Sequence, residues 1–230
     1  MSSVSRLQMV RAVCAKDLRI EQRSKVLTSQ IMPFALVTLV LFAFALDGDA
    51  ILERTAPGLV WLAMLFSSMI IVQRSFAVET ADGALDALRV AGADMSAVFW
   101  GKWFALIVQL VILEVVLIVG AIVMYGIDLR ISGLVLLVTS SISATCGLSA
   151  VSTIYAGLAS GVRGRESLLP LLVLPVASPV LIGATRAAEA AFGAGGAVVS
   201  EGWPWLGLLS VFAVVFSFGG SLAFGPLIDD

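Results

Sequence analysis

The chain has 230 residues, 60% of them hydrophobic and only 13% charged, with a formal net charge of −2 at pH 7 and a strongly positive mean hydropathy. No soluble domain of this length has that composition, and no nucleic-acid partner is expected. There is no histidine, the two cysteines Cys14 and Cys146 fall in different environments, and no G-x-x-x-x-G-K-[ST] phosphate loop occurs, so a disulfide, a multi-ligand metal site and intrinsic ATPase activity are all excluded.

Residues 4–25 place Val4, Leu7, Val10, Cys14 and Leu18 at spacings of three and four, with Lys16, Arg19 and Arg23 on another face. That periodicity suits a helix lying at the inner membrane surface. Arg11 and Gln22 interrupt the stripe, and a simple basic topology anchor is the plainer alternative.

A bilayer core about 30 Å thick needs roughly 20 apolar residues per helix. Six stretches qualify, at roughly 27–46, 56–73, 103–125, 131–160, 168–186 and 205–227. The expected fold is an all-α integral membrane protein, with residues 1–230 forming one transmembrane domain. It comprises an N-terminal interfacial helix in 1–26, a six-span bundle over 27–227 and a cytoplasmic coupling segment over 74–102. Ala43-Phe44-Ala45 has the small-x-small form of a signal-peptidase site, but the charged leader of 26 residues and the long apolar run exceed a signal sequence, so the first span is expected to be retained. Eleven of the 14 basic residues fall on the side of Arg6, Arg74, Lys102 and Arg165, and only Arg54, Arg130 and Arg186 on the other. Both termini are therefore expected in the cytoplasm.

Between the second and third stretches lies Glu79-Thr-Ala-Asp82-Gly83-Ala-Leu85-Asp86-Ala-Leu88. Leu85 and Leu88, three apart, put a small apolar face beside carboxylates, a shape suited to docking on a partner. A solvated loop helix with a satisfied apolar stripe is the bland alternative.

In span three, Glu114 lies near the middle of an otherwise apolar run. A carboxylate at that depth costs about 2.5–3.5 kcal/mol on insertion scales and should face protein or be protonated. It reads either as a gate or inter-helix latch, or as a structural hydrogen bond to one of the hydroxyls of span four, namely Ser140, Ser141, Ser143, Thr145, Ser149, Ser152 and Thr153. Span four is also rich in Gly and Ala, which permits close helix approach, and is expected to be the most buried helix. Span five carries Pro170, Pro175 and Pro179. Each removes a ladder donor, so a kinked or broken helix serving as a hinge is expected. Trp203 and Trp205, flanking Pro204 at the start of span six, fit an aromatic belt or, less simply, a porphyrin platform. The methionines show no pairing suited to axial haem ligation, and no cofactor is expected to be bound directly.

Four ordered blocks carry a family resemblance: Lys16-Asp-Leu-Arg-Ile-Glu21-Gln-Arg23, Ala56-Pro57-Gly-Leu-Val-Trp61, the Glu79–Leu88 block, and Gly164-Arg165-Glu166-Ser-Leu-Leu-Pro170-Leu-Leu-Val-Leu-Pro175. Over nearly its whole length the chain resembles CcmB, the haem exporter protein B of cytochrome c maturation. The resemblance implies an ABC-2-type exporter-like bundle, the non-catalytic permease subunit of an ABC transporter in the bacterial inner membrane. Its implied partners are a CcmA-like ATPase that holds the ATP, a CcmC-like haem-handling subunit, a CcmD-like small subunit and a CcmE-like haem chaperone; as a half-sized subunit the chain is also expected to pair with a second copy of itself. ATP hydrolysis would serve release of the haem-loaded chaperone outside the membrane. The family's ATPase-facing helix maps onto Glu79, Asp82, Gly83, Leu85, Asp86 and Leu88. Many relatives carry prolines just after this helix, where Val90-Ala-Gly92-Ala stands here. A permease for a lipid, glycan or drug and a non-transporting structural anchor of the haem machinery are the alternative functions.

Overall fold

The computed structural model describes residues 5–46, 48–81, 83, 87, 90, 92–127, 131–159 and 165–229. Every regular element among them is helical. Helix α1 (Arg6–Ser24) opens with a capping box in which Ser5 and Gln8 satisfy each other's backbone N–H groups. It closes at Lys25, whose φ of 54° turns the chain sharply. The Glu21 carboxylate then accepts the Leu27 N–H at 2.6 Å, supplying a negative cap where the first span starts. That span begins as a π turn over Leu27–Ile31 and continues as α2 (Met32–Ala45).

The remaining helices are α3 (Asp49–Ala81), α4 (Met95–Tyr125), α5 (Ile131–Ala159), α6 (Arg165–Phe192) and α7 (Trp203–Asp229). Six apolar stretches within them are long enough to cross a bilayer: Leu27–Ala45, Ile51–Glu79, Met95–Tyr125, Ile131–Ala159, Pro170–Phe192 and Val199–Pro226. The protein is thus an all-α, multi-pass membrane protein, as its composition requires.

Spans two, three and five extend beyond the apolar runs at 56–73, 103–125 and 168–186. Helix hydrogen bonding does not stop where hydropathy falls, provided the polar residues find partners. At the C-terminal end of α3 and the N-terminal end of α4 those partners are buried ion pairs, described below. At the end of α6, Arg186 donates to Glu189 one turn on, at 2.9 Å. Of the residues 74–102 expected to form a coupling segment, 74–81 complete α3 and 95–102 begin α4. Asp94 caps α4 by accepting the Ser96 N–H at 3.0 Å.

The bundle is packed by setting large side chains into positions without them. Phe99 lies against Gly220, Phe224 against Gly157 and Phe212 against Gly147, where a Cβ would meet ring atoms within 2.9 Å. Gly133 lets α5 approach α6 until an added Cβ would fall 2.0 Å from the Ala191 carbonyl oxygen. Small residues serve membrane helices in this way because lipid offers no hydrophobic force between them. Hydroxyl pairs add direct links, Ser68 to Ser152 at 3.2 Å and Ser143 to Ser210 at 3.3 Å.

Span four is the most enclosed helix, as its small residues lead one to expect, with 17 of its 29 residues buried. Helix α6 is not broken, running from Arg165 to Phe192 across Pro170, Pro175 and Pro179. Pro179 has no N–H for the Pro175 carbonyl four residues earlier. The Ser178 hydroxyl donates to that carbonyl instead, at 2.7 Å, so a local side chain replaces the missing rung and the helix persists in an apolar medium.

Candidate coupling site and intramembrane polar contacts

Four charges meet where α1 packs against the C-terminal end of α3 and the N-terminal end of α4. Lys16 and Asp17 come from α1, Glu79 from the last turns of α3, and Lys102 from the second turn of α4. Lys102 Nζ lies 2.9 Å from Glu79 Oε2 and 3.3 Å from Asp17 Oδ2. Lys16 contacts Glu79 Oε1 and lies 3.2 Å from Asp17 Oδ1. Ser75 donates to Asp17 at 2.9 Å and accepts from Lys102 at 2.8 Å, and the Phe76 ring sits 4.4 Å below the Lys102 ammonium.

Lys102, Asp17 and Glu79 are buried. A lone buried charge is prohibitively costly, whereas two cations and two carboxylates arranged alternately compensate one another. The cluster is neutral and joins three elements at once, so it specifies the register of α1 on the bundle. The same face of α1 packs by shape: a Cβ on Gly101 would lie 2.6 Å from Val13 Cβ, so α4 accepts α1 only because glycine stands there. At the N-terminal end of α1, Arg6 pairs with Asp94 at 3.2 Å and also reaches Ser96.

Burial alone would lower the Lys16 pKa, but the hydrogen bond to Glu79 and the charge of Asp17 outweigh it and hold the ammonium above its ordinary value of 10.5. A cation with a raised folded pKa contributes stability that is fully present below its unfolded pKa and is lost only as pH rises through the folded one. The Lys16 contribution is therefore constant through neutral pH. Burial and the Asp17 charge push the nearby Cys14 thiol up, so it stays a protonated, inert thiol.

Glu79 thus differs from the sequence expectation of a carboxylate displayed beside Asp82 and Asp86: it is turned into the bundle and engaged by two lysines. Gly83 is exposed, with φ of 61°. Its carbonyl accepts the Ala87 N–H at 3.0 Å. Asp82, Leu85, Asp86 and Leu88 lie outside the described residues. Asp17, Lys16 and Lys102 were missed as a functional group. Their signal was present as isolated charges at the borders of apolar runs, but one sequence does not show which of them meet.

Deep in the bundle, Thr145 of α5 donates to Glu114 Oε2 at 2.8 Å. Ser141, one turn earlier on α5, lies beside the same carboxylate. Of the seven hydroxyls in reach by sequence, these two meet Glu114. Glu114 therefore ties spans three and four, helped by Trp103, whose indole N–H donates to the Cys146 carbonyl at 2.9 Å. Glu114→Gln should keep the tie, because an amide still accepts from Thr145. Glu114→Leu should lose about 1 kcal/mol of packing. Thermal midpoints of the two purified variants check this: equal, wild-type midpoints would leave Glu114 without a structural role.

Pro170, Pro175 and Pro179 stand along α6, away from the charged cluster, and the geometry does not bring them together with Glu114 or Glu79 in one site.

Comparison with known proteins places these features in a family. The profile described as "CcmB protein" matches residues 8–225. "Heme exporter protein B" of Rhodobacter capsulatus is 33% identical over 181 residues, covering 75% of this chain and 79% of the relative. The Paracoccus denitrificans protein of the same name is 32% identical over 190 residues, covering 80% and 85%. That of Haemophilus influenzae is 28% identical over 184 residues, covering 78% and 80%. The profile match takes in all four charged residues of the cluster and every span, and the chain belongs to the CcmB family.

Proposed function

We propose that this chain is the inner-membrane permease subunit of an ABC-type transporter complex for cytochrome c maturation. It couples ATP hydrolysis in a separate CcmA-like ATPase to release of a haem-loaded, CcmE-like chaperone on the outer side. CcmC-like and CcmD-like subunits and a second copy of the chain complete the assembly. The chain itself performs no covalent chemistry.

The observation that supports coupling is the continuity of α3. It runs as one helix from Asp49 to Ala81, ends directly before the 82–94 connection, and is clasped at that end to α1 and α4 through Glu79. A motor docked on residues 82–88 would not move a slack loop. Its push would reach α1, α3 and α4 together, because breaking the clasp means separating buried charges. Such a push shifts the outer face only if the motor binds two states of the bundle with different affinity.

Purification of the chain with its neighbours from native membranes tests this reading. An ATPase should co-purify, and an ATPase unable to hydrolyse ATP should leave the haem-loaded chaperone held on the complex. Recovery of the chain with neither partner would overturn it.

Orientation is a separate expected outcome. With Cys14 and Cys146 replaced by serine, a Ser200→Cys label site in the exposed connection before α7 should react with a membrane-impermeant thiol reagent from the outer side only. Reaction from the cytoplasmic side alone would invert the topology.

A further inference from the structure

At the end of the bundle opposite the charged clasp, α3 and α6 diverge around an open groove of about 500 Å³. Its rim is cationic. Arg54 of α3 and Arg186 of α6 both line it, as do Thr185 and Glu189, while Leu62 and Leu181 form an apolar wall running toward the middle of the bundle. Arg186 is held in place by Glu189 at 2.9 Å. Arg54 has no carboxylate partner among the described residues, and its side chain is laid over the turn at Gly195, with Cδ 3.6 Å and Nε 3.5 Å from where a Cβ there would stand. Two positive charges against one negative leave the rim with a net positive charge.

We infer that this groove binds an anionic amphiphile, a molecule with an apolar body along Leu62 and Leu181 and a carboxylate or phosphate head between Arg54 and Arg186. Guanidinium groups favour such heads because their planar fork matches two oxygens. An apolar wall beneath a polar rim is the usual composition of a small-ligand site. The groove is lined by no His, Cys, Met or Tyr, so a metalloporphyrin would be held there through its acid groups and not through its metal. An anionic phospholipid and a dicarboxylate porphyrin share the required chemistry. This inference does not rest on the coupling mechanism proposed above.

The test is native mass spectrometry of the purified chain, in its complex, with phosphatidylglycerol, phosphatidylcholine or haem added separately. At least one anionic probe should be retained about tenfold better than phosphatidylcholine, a preference worth about 1.4 kcal/mol. The Arg54→Gln/Arg186→Gln double variant should lose that preference, while Leu62→Trp, which fills the groove and keeps both arginines, should lose the bound molecule. Arg74→Gln, at the clasp end, should change neither. Retention of phosphatidylglycerol alone would identify a lipid site, and retention of haem a porphyrin site. Equal retention of all three probes by the wild-type chain, or an unchanged preference in the double variant, would overturn the assignment. Thermal midpoints of the variants within error of wild type guard against loss through unfolding.

Discussion

Lys102→Met is expected to destabilise the chain by about 3–5 kcal/mol, the usual cost of removing one partner from a buried ion pair. Methionine fills much of the same volume, so packing around Phe76 is largely kept and the loss is electrostatic. Without the Lys102 ammonium, Asp17 and Glu79 share, among the described residues, only Lys16, whose side chain is 42% exposed against 2% for Lys102. One carboxylate is left buried beside another with a single, partly solvated cation. The sharper outcome is the rescue. Lys102→Met/Glu79→Gln removes one charge of each sign and leaves the Lys16–Asp17 pair neutral, so most of the lost stability should return. A double-mutant cycle built on thermal or denaturant midpoints in detergent measures that coupling. If the double variant is no better than Lys102→Met, the four charges do not act as a compensated group. A single variant at wild-type stability would equally remove the clasp from the account.

The six spans were legible in the sequence because length and hydropathy decide them: lipid leaves no alternative to a helix for an apolar run of about 20 residues; the N-terminal helix was legible from its spacing of three and four. Helix ends were not legible, because polar residues at the C-terminal end of α3 and the N-terminal end of α4 look like loop until their partners are known. Glu79 is the clearest case. Read beside Asp82 and Asp86 it belongs to an acidic surface, yet the geometry gives it to Lys16 and Lys102, which are 63 and 23 positions away in sequence. The tie at Glu114 was legible as chemistry, and its partner Thr145 needed only the rotation of α5. The three prolines predict a kink or a break; α6 continues across them, and at Pro179 the Ser178 hydroxyl occupies the Pro175 carbonyl that the missing N–H leaves open, one hydroxyl at a given offset being a weak sequence signal.

Leu85→Asp is expected to release the ATPase while leaving the chain inserted and folded. On the proposed docking surface Leu85 and Leu88 are the apolar anchors, with Asp82 and Asp86 at the rim. Desolvated anchors at an interface commonly contribute about 2 kcal/mol or more, and rim charges much less. A carboxylate at position 85 would have to be buried unpaired in the partner, so affinity should fall at least about thirtyfold, whereas Asp86→Ala should change it little. Gly83 offers an independent check on the same surface. Its φ of 61° costs any L-residue about 1–2 kcal/mol, but among the described residues nothing lies within 4 Å of where its Cβ would be. Gly83→Ala and Gly83→Trp therefore carry a similar backbone penalty and differ only in what a partner must accommodate. Co-purification of the ATPase should survive Gly83→Ala in large part and fail with Gly83→Trp, with cytochrome c assembly in cells following the same order. If Leu85→Asp and Gly83→Trp both retain the ATPase at wild-type levels, the motor engages a different surface, and the clasp between α1, α3 and α4 holds the bundle together without transmitting its stroke.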